Sequence, residues 1–500
     1  MSIKKRRQAG ILLHITSLPS KYGIGTLGKS AYEFVDFLHE SKLSLWQILP
    51  LGPTSYGDSP YQSVSATALN YYLIDLEKLI EEGLLDKSFV DKIDFGDNPF
   101  RVDFSKIFNS RVLCLRKAFD NFNRGTIDFV HFLKSKDAHD FALFMTIKEK
   151  NNYAPWYLWD DKYKKYSPTV EEYVLKNHYD AYLFWVWTQY MFDKQFMKLK
   201  EYAHSKGVEI IGDIPLYIGY DSVEIWKYPE MFLLHKDQTL DIVAGCPPDA
   251  FSSIGQLWGN PCYDWKYMKQ TNFAWWNLRI NATFKYVDVL RIDHFRGFDR
   301  FYGIEAFRKD AVIGEWMDGP KFDLFADKKD YRIIAEDLGT IDDGVRSLLK
   351  KTGYPGMKIL MFSFDGKDDN EHKPSNVLEN NIIYTGTHDN DTLVQFLDKC
   401  DDYQYGILLN DLKKQCELFK VNSHFDDQNC VIDAMIELCF ASKAIMCVIP
   451  MQDILKQGAD CHMNLPNTVS TDNWSYRIVN TYNQKDIKEK LKSLVEKYNR

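Results

Sequence analysis

Five hundred residues exceed what one small core needs; division by about 150 suggests three domains, and a barrel with insertions would use the same length as one unit. Hydrophobic residues make up 45% and charged residues 26%, ordinary for a soluble globular chain. The net charge of −8 argues against a broad nucleic-acid footprint, and the single basic cluster, Lys4 to Arg7, reads as a solvated N-terminus. No apolar run reaches the roughly 18 residues of a membrane span, and Ile11 to Leu13 is too short for a signal-peptide core. The nine cysteines are scattered without a Cys-x-x-Cys pair, which points to reduced thiols in the cytoplasm and away from a zinc or disulfide framework.

Taken in order, the chain opens on a strand expected over Ile11 to Ile15. Gly23-Ile-Gly25-Thr-Leu-Gly28 is a literal G-x-G-x-x-G. Thr16 to Tyr22 separates it from the strand, however, and the next strand, Leu43 to Leu49, ends without an acid for a ribose. The glycines therefore read as a loop before a helix near Ser30 to Glu40. A Pro/Gly-rich loop follows Leu49. From about residue 75 to 206 the pattern is mostly helical, and Ala181 to His204, apolar all round, reads as a buried helix closed by Gly207. Strands then alternate with helices: Val208 to Asp213, Val287 to Asp293, Tyr331 to Glu336, Met357 to Phe362, Asn381 to Thr385 and Ala444 to Pro450. Eight such units predict an α/β fold, a parallel (β/α)8 TIM barrel. It would be one catalytic domain over 1–500, with a mainly helical insertion at 65–206 after strand 2 and an insertion loop at 228–265 covering the active site. An amphipathic helix with Ile487, Leu491, Leu494, Val495 and Tyr498 on one face ends the chain, leaving no room for a C-terminal β-sandwich.

The stretch Arg291-Ile-Asp-His-Phe-Arg-Gly297 closes an apolar strand with charges whose burial costs several kcal/mol or so unless they are paired. An ion pair at a strand end explains that stretch alone equally well. Asp213, Asp293 with His294, Glu336 with Asp337, and His388-Asp389 would nevertheless all meet on one barrel face, where such barrels hold their sites. Carboxylates facing one bond suit glycoside chemistry: an ionised one attacks the anomeric carbon and a protonated one serves the leaving oxygen. Tyr61 and Trp258, without further support, read as core aromatics.

The strings Ile48-Leu-Pro-Leu-Gly-Pro-Thr, Tyr56-Gly-Asp-Ser-Pro-Tyr-Gln-Ser, Gly212-Asp-Ile-Pro, Pro247-Pro-Asp-Ala-Phe-Ser, Leu257-Trp-Gly-Asn-Pro, Arg291 to Gly297, Ala335-Glu-Asp-Leu-Gly, Thr387-His-Asp-Asn and Met463-Asn-Leu-Pro carry a specific likeness. In this order, from about residue 9 to 478, the chain resembles the 4-α-glucanotransferases of the amylomaltase, or disproportionating-enzyme, family: glycoside hydrolase family 77, in the α-amylase clan. The resemblance implies that Asp293 is the nucleophile, Glu336 the acid/base and Asp389 the third carboxylate, with Arg291 keeping Asp293 ionised. It places His388, His294, Asp213 and Tyr61 around the attacked glucose, Tyr61 as a stacking platform, and Trp258 on the acceptor side. Asp249, Phe251 and Gln256 would lie on a loop closing over the glucan, and Tyr56, Ser59, Asp365 and Asn464 at more distant sugars. Cys262 and the pair Cys461-His462 depart from the family's pattern beside its motifs.

The activity implied is retaining transfer of an α-1,4-glucan segment from a maltodextrin to the 4-hydroxyl of glucose or another glucan, through a covalent glycosyl-enzyme. It calls for no metal or organic cofactor and for neither nucleic acid nor membrane as partner. A retaining α-glucan hydrolase is the alternative within enzymes, a non-catalytic glucan-binding scaffold the alternative outside them. A nicotinamide-dependent oxidoreductase would need the fingerprint set aside above.

Overall fold

The computed structural model describes residues 7–248 and 252–500. Among these residues twelve strands form two sheets. β1 (Gln8–Leu12), β2 (Leu45–Gln47), β3 (Glu209–Ile214), β6 (Val289–Ile292), β9 (Ile333–Ala335), β10 (Gly356–Ile359), β11 (Asn381–Tyr384) and β12 (Met446–Pro450) close a parallel barrel. Between them run β4 (Ile242–Cys246), β5 (Gln256–Pro261), β7 (Arg300–Glu305) and β8 (Glu315–Asp318). Each expected barrel strand has its counterpart. Around the ring β1 joins β12 and β2, and β3 joins β6, with Gln47 beside Ile211 and Asp213 beside Arg291 in the register. The barrel strands are buried almost end to end, which is why they read as apolar runs and not as alternating ones.

The first strand is displaced from its expected place. It runs over Gln8–Leu12, and Ile15–Ser17 forms a 3-10 turn. Apolarity alone pointed to Ile11 to Ile15, but the strand begins on a polar residue, Gln8, whose amide donates to Glu209 at 2.9 Å on β3. Gly10 shows why the sequence admits no side chain in mid-strand: a Cβ there would stand 2.2 Å from the Leu45 carbonyl oxygen.

Helices wrap the barrel. Lys29–Glu40 buries Phe34, Val35 and Leu38, and the C-terminal helix Lys485–Tyr498 buries Leu491, Leu494 and Val495. Between β2 and β3 the chain is mainly helical. Its longest element, Tyr179–Ser205, is 27 residues, about 40 Å at 1.5 Å per residue. Phe184, Trp185, Trp187, Met191, Phe192 and Phe196 are all fully buried on it, and Gly207, at φ +74°, follows its end. Its two buried glutamines act as backbone surrogates. Gln189 accepts from Leu69 N–H at 2.8 Å and donates to Leu69 O at 3.0 Å, and Gln195 accepts from Asp75 N–H at 2.7 Å. The helix is buried all round over Tyr182 to Gln189 and exposes one face beyond it, and its buried glutamines satisfy the segment that follows the β2 loop.

The second sheet was not foreseen. β5, β4, β7 and β8 form an antiparallel sheet in that order, so the segment expected as a loop over 228–265 holds two strands. β7 starts three residues after the Arg291 to Gly297 stretch, which brings this sheet beside the strand ends. Among the described residues no helix is long and apolar enough to cross a membrane.

Candidate active site

A groove of about 610 Å³ opens over the C-terminal ends of the barrel strands. Asp293 and His294 follow β6, Glu336 follows β9, and Asp389 follows β11; all four line it. Ser59 and Tyr61, from the loop after β2, form another wall. Gln256 and Trp258 come from β5, and Asn464 from the loop after β12.

Beneath the groove lies a charge network. Arg291 donates to Asp213 at 2.6 Å and to Asp293 at 2.8 Å, and Tyr61 donates its hydroxyl to the same Asp213 oxygen at 2.7 Å. The side chain of Asp213 is 0% exposed and that of Arg291 4%, whereas Asp293 keeps 28%. Burial pushes the Asp213 pKa up, Arg291 opposes this, and Asp293 adds to it. Burial by itself would lower the Arg291 pKa; Asp213 and Asp293 more than offset that and hold the guanidinium charged. Arg291 therefore offers one nitrogen to a buried structural acid and the other to an acid open to the groove.

Glu336 is set by different forces. It is half-buried on the groove wall, it faces the negative charge of Asp293, and its pKa is raised to about 8, desolvation being the larger cause. His294 N–H and Leu338 N–H both donate to its carboxyl, each at 2.7 Å. His294 reaches this position in a left-handed conformation, φ 48°, a strained state for a residue with a side chain. Its half-buried ring is held neutral, with a pKa lowered to about 4, desolvation being the main cause, and it meets the Trp258 indole edge-on at 4.8 Å. Trp258 is braced in turn by its N–H, which donates to Gln256 at 3.0 Å.

On the third side, Asn464 donates to Asp389 at 2.7 Å, and His388 Nε2 stands 3.4 Å from the other oxygen of Asp389. Tyr61 stacks on His388, centroids 5.0 Å apart and planes at 13°. Trp474 leans on both rings, at 5.7 and 5.9 Å.

Of the residues singled out in the sequence, nine line the groove: Ser59, Tyr61, Gln256, Trp258, Asp293, His294, Glu336, Asp389 and Asn464. Asp213, Arg291 and His388 stand directly behind them. Asp365 stands apart from the wall, its carboxylate accepting from Lys367 N–H at 3.0 Å on its own loop. Asp249, Phe251 and the side chain of Tyr56 lie outside the described residues. Sequence reasoning passed over Trp474, Tyr217, Gln62 and Asn260. The amides of Gln62 and Asn260 exchange bonds at 3.0 and 3.2 Å, tying the β2 loop to β5. Both sit inside strings already quoted for the resemblance, which was the available signal; Trp474 carried none beyond being a tryptophan in a loop.

Fold and groove together define a (β/α)8-barrel protein whose strand ends bring several carboxylates to one cleft. The sequence matches the family model described as 4-alpha-glucanotransferase over residues 13–481, and the chain belongs to that family. It is 42% identical to the 4-alpha-glucanotransferase of Clostridium butyricum, covering 98% of this chain and 100% of that one. The 4-alpha-glucanotransferase of Thermus thermophilus is 36% identical, with 95% of each chain covered. Among solved structures, the amylomaltase from Streptococcus agalactiae in complex with acarbose superposes with a TM-score of 0.93 at 40% identity, covering 99% of this chain and 100% of that one. The amylomaltase from Corynebacterium glutamicum, at 16% identity and a TM-score of 0.78 over 99% of this chain and 75% of that one, shares the fold.

Proposed function

We propose that the protein is a retaining 4-α-glucanotransferase that moves α-1,4-glucan segments between maltodextrins, with Asp293 as nucleophile, Glu336 as acid/base and Asp389 as the carboxylate that binds sugar hydroxyls. The observation that carries this reading is the opposed environment of two acids on one groove: Asp293 beside the Arg291 guanidinium, and Glu336 half-buried and desolvated with its pKa raised to about 8. The carboxyl held by the cation is placed to attack, and the other is kept protonated to release the leaving oxygen.

The cycle follows from the same charges. Attack by Asp293 turns its carboxylate into a neutral ester, and Glu336 gives its proton to the departing 4-oxygen. The like charge that raised Glu336 has then gone, so its pKa falls, and the N–H groups of His294 and Leu338 hold the carboxylate it has become. Glu336 next takes the proton of an incoming 4-hydroxyl, which displaces Asp293. Two inversions retain the configuration. His388, His294 and Tyr61 surround the attacked glucose, and Asp213 supports that subsite from beneath through Tyr61 and Arg291. Tyr61 acts as its platform, and Asn464, Ser59, Tyr56 and Asp365 serve more distant sugars.

Transfer requires a positioned hydroxyl to outcompete water. The segment 228–265 brings Gln256 and Trp258 to the groove wall, and it serves as the cover over the bound acceptor; Phe251 and Asp249, in the same stretch of sequence, are assigned to that cover by the family resemblance alone. The whole chain acts as one catalytic domain with 65–206 and 228–265 as insertions, and the scattered cysteines suit a cytoplasmic enzyme. The test is incubation with maltotriose alone. Glucose together with a ladder of longer maltodextrins, absent in Asp293→Asn, is expected. Glucose and maltose with nothing longer would make the protein a hydrolase.

A further inference from the structure

Behind His388 is a cavity of about 20 Å³ whose wall includes His14, Ser17, Leu49, Thr387, His388 and Gln452. That is room for one water, and its wall is polar enough to hold one. Ser17 is 0% exposed and its hydroxyl is buried without a protein partner, although its backbone is fully used, N–H to His14 O at 3.0 Å and O from Ile478 N–H at 2.8 Å. An orphaned buried hydroxyl in a native fold calls for an explanation, and an ordered water is the ordinary one.

The bond made by His14 decides which way such a water points. Leu49 N–H donates to His14 Nδ1 at 3.1 Å, so Nδ1 carries the lone pair. His14 is also buried and neutral, its pKa lowered to about 3, by burial and then by His388. A neutral imidazole whose Nδ1 accepts bears its proton on Nε2. The only ring nitrogen of His14 left to act is therefore a donor. On the other side of the cavity the plane of His388 is held by the Tyr61 stack, and its Nε2 points to Asp389 at 3.4 Å. Stacking holds a ring's plane and leaves its tautomer free.

We propose that His14 is a positioning residue for the reaction: through one ordered water it holds His388 with its proton on Nε2. The water accepts from His14 Nε2–H and from the Ser17 hydroxyl, and donates to His388 Nδ1. With Nδ1 occupied as an acceptor, His388 presents Nε2–H toward Asp389 and the glucose at the groove. This rests on the reading above, in which His388 faces the donor sugar.

Two substitutions separate the atoms. In His14→Asn the side-chain oxygen replaces Nδ1 and keeps the Leu49 bond, but nothing reaches the water. In His14→Gln the amide nitrogen takes the place of Nε2 and restores that donor. The expected result is a kcat about tenfold lower in H14N, the worth of roughly one hydrogen bond, with KM changed less than twofold and most of the loss recovered in H14Q. Nitrogen NMR of histidine-labelled protein would show His388 as the Nε2–H form in the parent and H14Q, and as a mixture of tautomers in H14N. An unchanged His388 tautomer in H14N, or an H14Q no better than H14N, overturns the proposal. Should neither variant fold, a high-resolution crystal structure of the unaltered protein decides: a water bonded to both imidazoles is expected, and a dry cavity overturns the idea. The NMR and crystallographic readouts need no substrate, so a chain that failed to disproportionate maltotriose would sink the function and leave this test standing.

Discussion

Asp213 and Arg291 are register partners on adjacent parallel strands, and their side chains close a buried pair at 2.6 Å. Register is what makes the pair. A slip of one residue between β3 and β6 would turn one of the two away from the barrel interior. Because Asp213 satisfies one nitrogen of the guanidinium, the other is free to hold Asp293 from below. Asp213→Ala is expected to leave a buried guanidinium short of an acid and to destabilise the protein by about 3–5 kcal/mol. A shift in the denaturant midpoint at constant slope would register it. A loss below about 1 kcal/mol would mean that Arg291 had swung fully onto Asp293.

Removing the proton from Glu336 chemically should mimic removing it by pH. Glu336→Gln is expected to slow transfer from maltotriose by about 10²–10⁴-fold, the usual span for a positioned acid. A donor whose leaving group needs no proton, α-glucosyl fluoride, should recover most of the first step. If the fluoride were turned over no faster than maltotriose, Glu336 would not be the acid.

The raised Glu336 pKa fixes the direction of two pH effects. Activity should decline as pH rises through about 8, because the acid form is lost. Stability should move the same way. Between about 4.5 and about 8 the unfolded glutamate has ionised while the folded one keeps its proton, so each rise in pH within that window favours unfolding. Comparing melting temperatures at pH 5 and pH 8 should show a smaller drop in Glu336→Gln than in the parent; an equal drop would assign the effect to other groups.

Trp258 meets His294 edge-on at 4.8 Å and forms part of the groove wall contributed by β5. A tryptophan can cover about 150–250 Å², so its loss opens the cleft to water. Trp258→Ala is expected to lower the ratio of transfer to hydrolysis about tenfold while donor cleavage itself falls less. Product analysis by chain length gives that ratio directly, and an unchanged ratio would remove Trp258 from the acceptor side.

Tyr61 has two separable duties, a hydroxyl given to Asp213 at 2.7 Å and a ring stacked on His388 at 5.0 Å. Tyr61→Phe should cost about 1 kcal/mol of stability, one hydrogen bond, and spare most of the activity. Tyr61→Ala should remove the platform and raise KM for maltotriose. Equal kinetic damage in both variants would show that the hydroxyl, not the ring, matters to the sugar.

The barrel was legible because its strands are buried on both faces and so read as short apolar runs between helical stretches; β1 slid, since it begins on Gln8 and apolarity cannot see a polar strand start, and the strand expected over Met357 to Phe362 ends at Ile359, where the apolar run continues as the 3-10 turn Leu360–Ser363. The sheet of β4, β5, β7 and β8 escaped because its edge strands, β5 and β8, are largely open to solvent, and β5 carries Gly259 and Pro261, so neither shows an apolar run. The acids at the strand ends were visible for a related reason. Asp213, Asp293, Glu336 and His388-Asp389 follow apolar runs directly, and a parallel barrel gathers all such ends on one side.

What the sequence determined by itself, then, was the local part: eight apolar strands, the helical stretches between them, and which charged residues stand at strand ends. Only the tertiary structure decided what those charges do. Asp213 and Asp293 share one guanidinium, yet one is sealed beneath the groove and the other faces it. Glu336 accepts one backbone bond from a left-handed turn 42 residues upstream and a second from Leu338 on its own loop. Propensity and periodicity act over a few neighbours in the chain, whereas burial, dielectric and the spacing of charges depend on which distant segments closure of the barrel brings together.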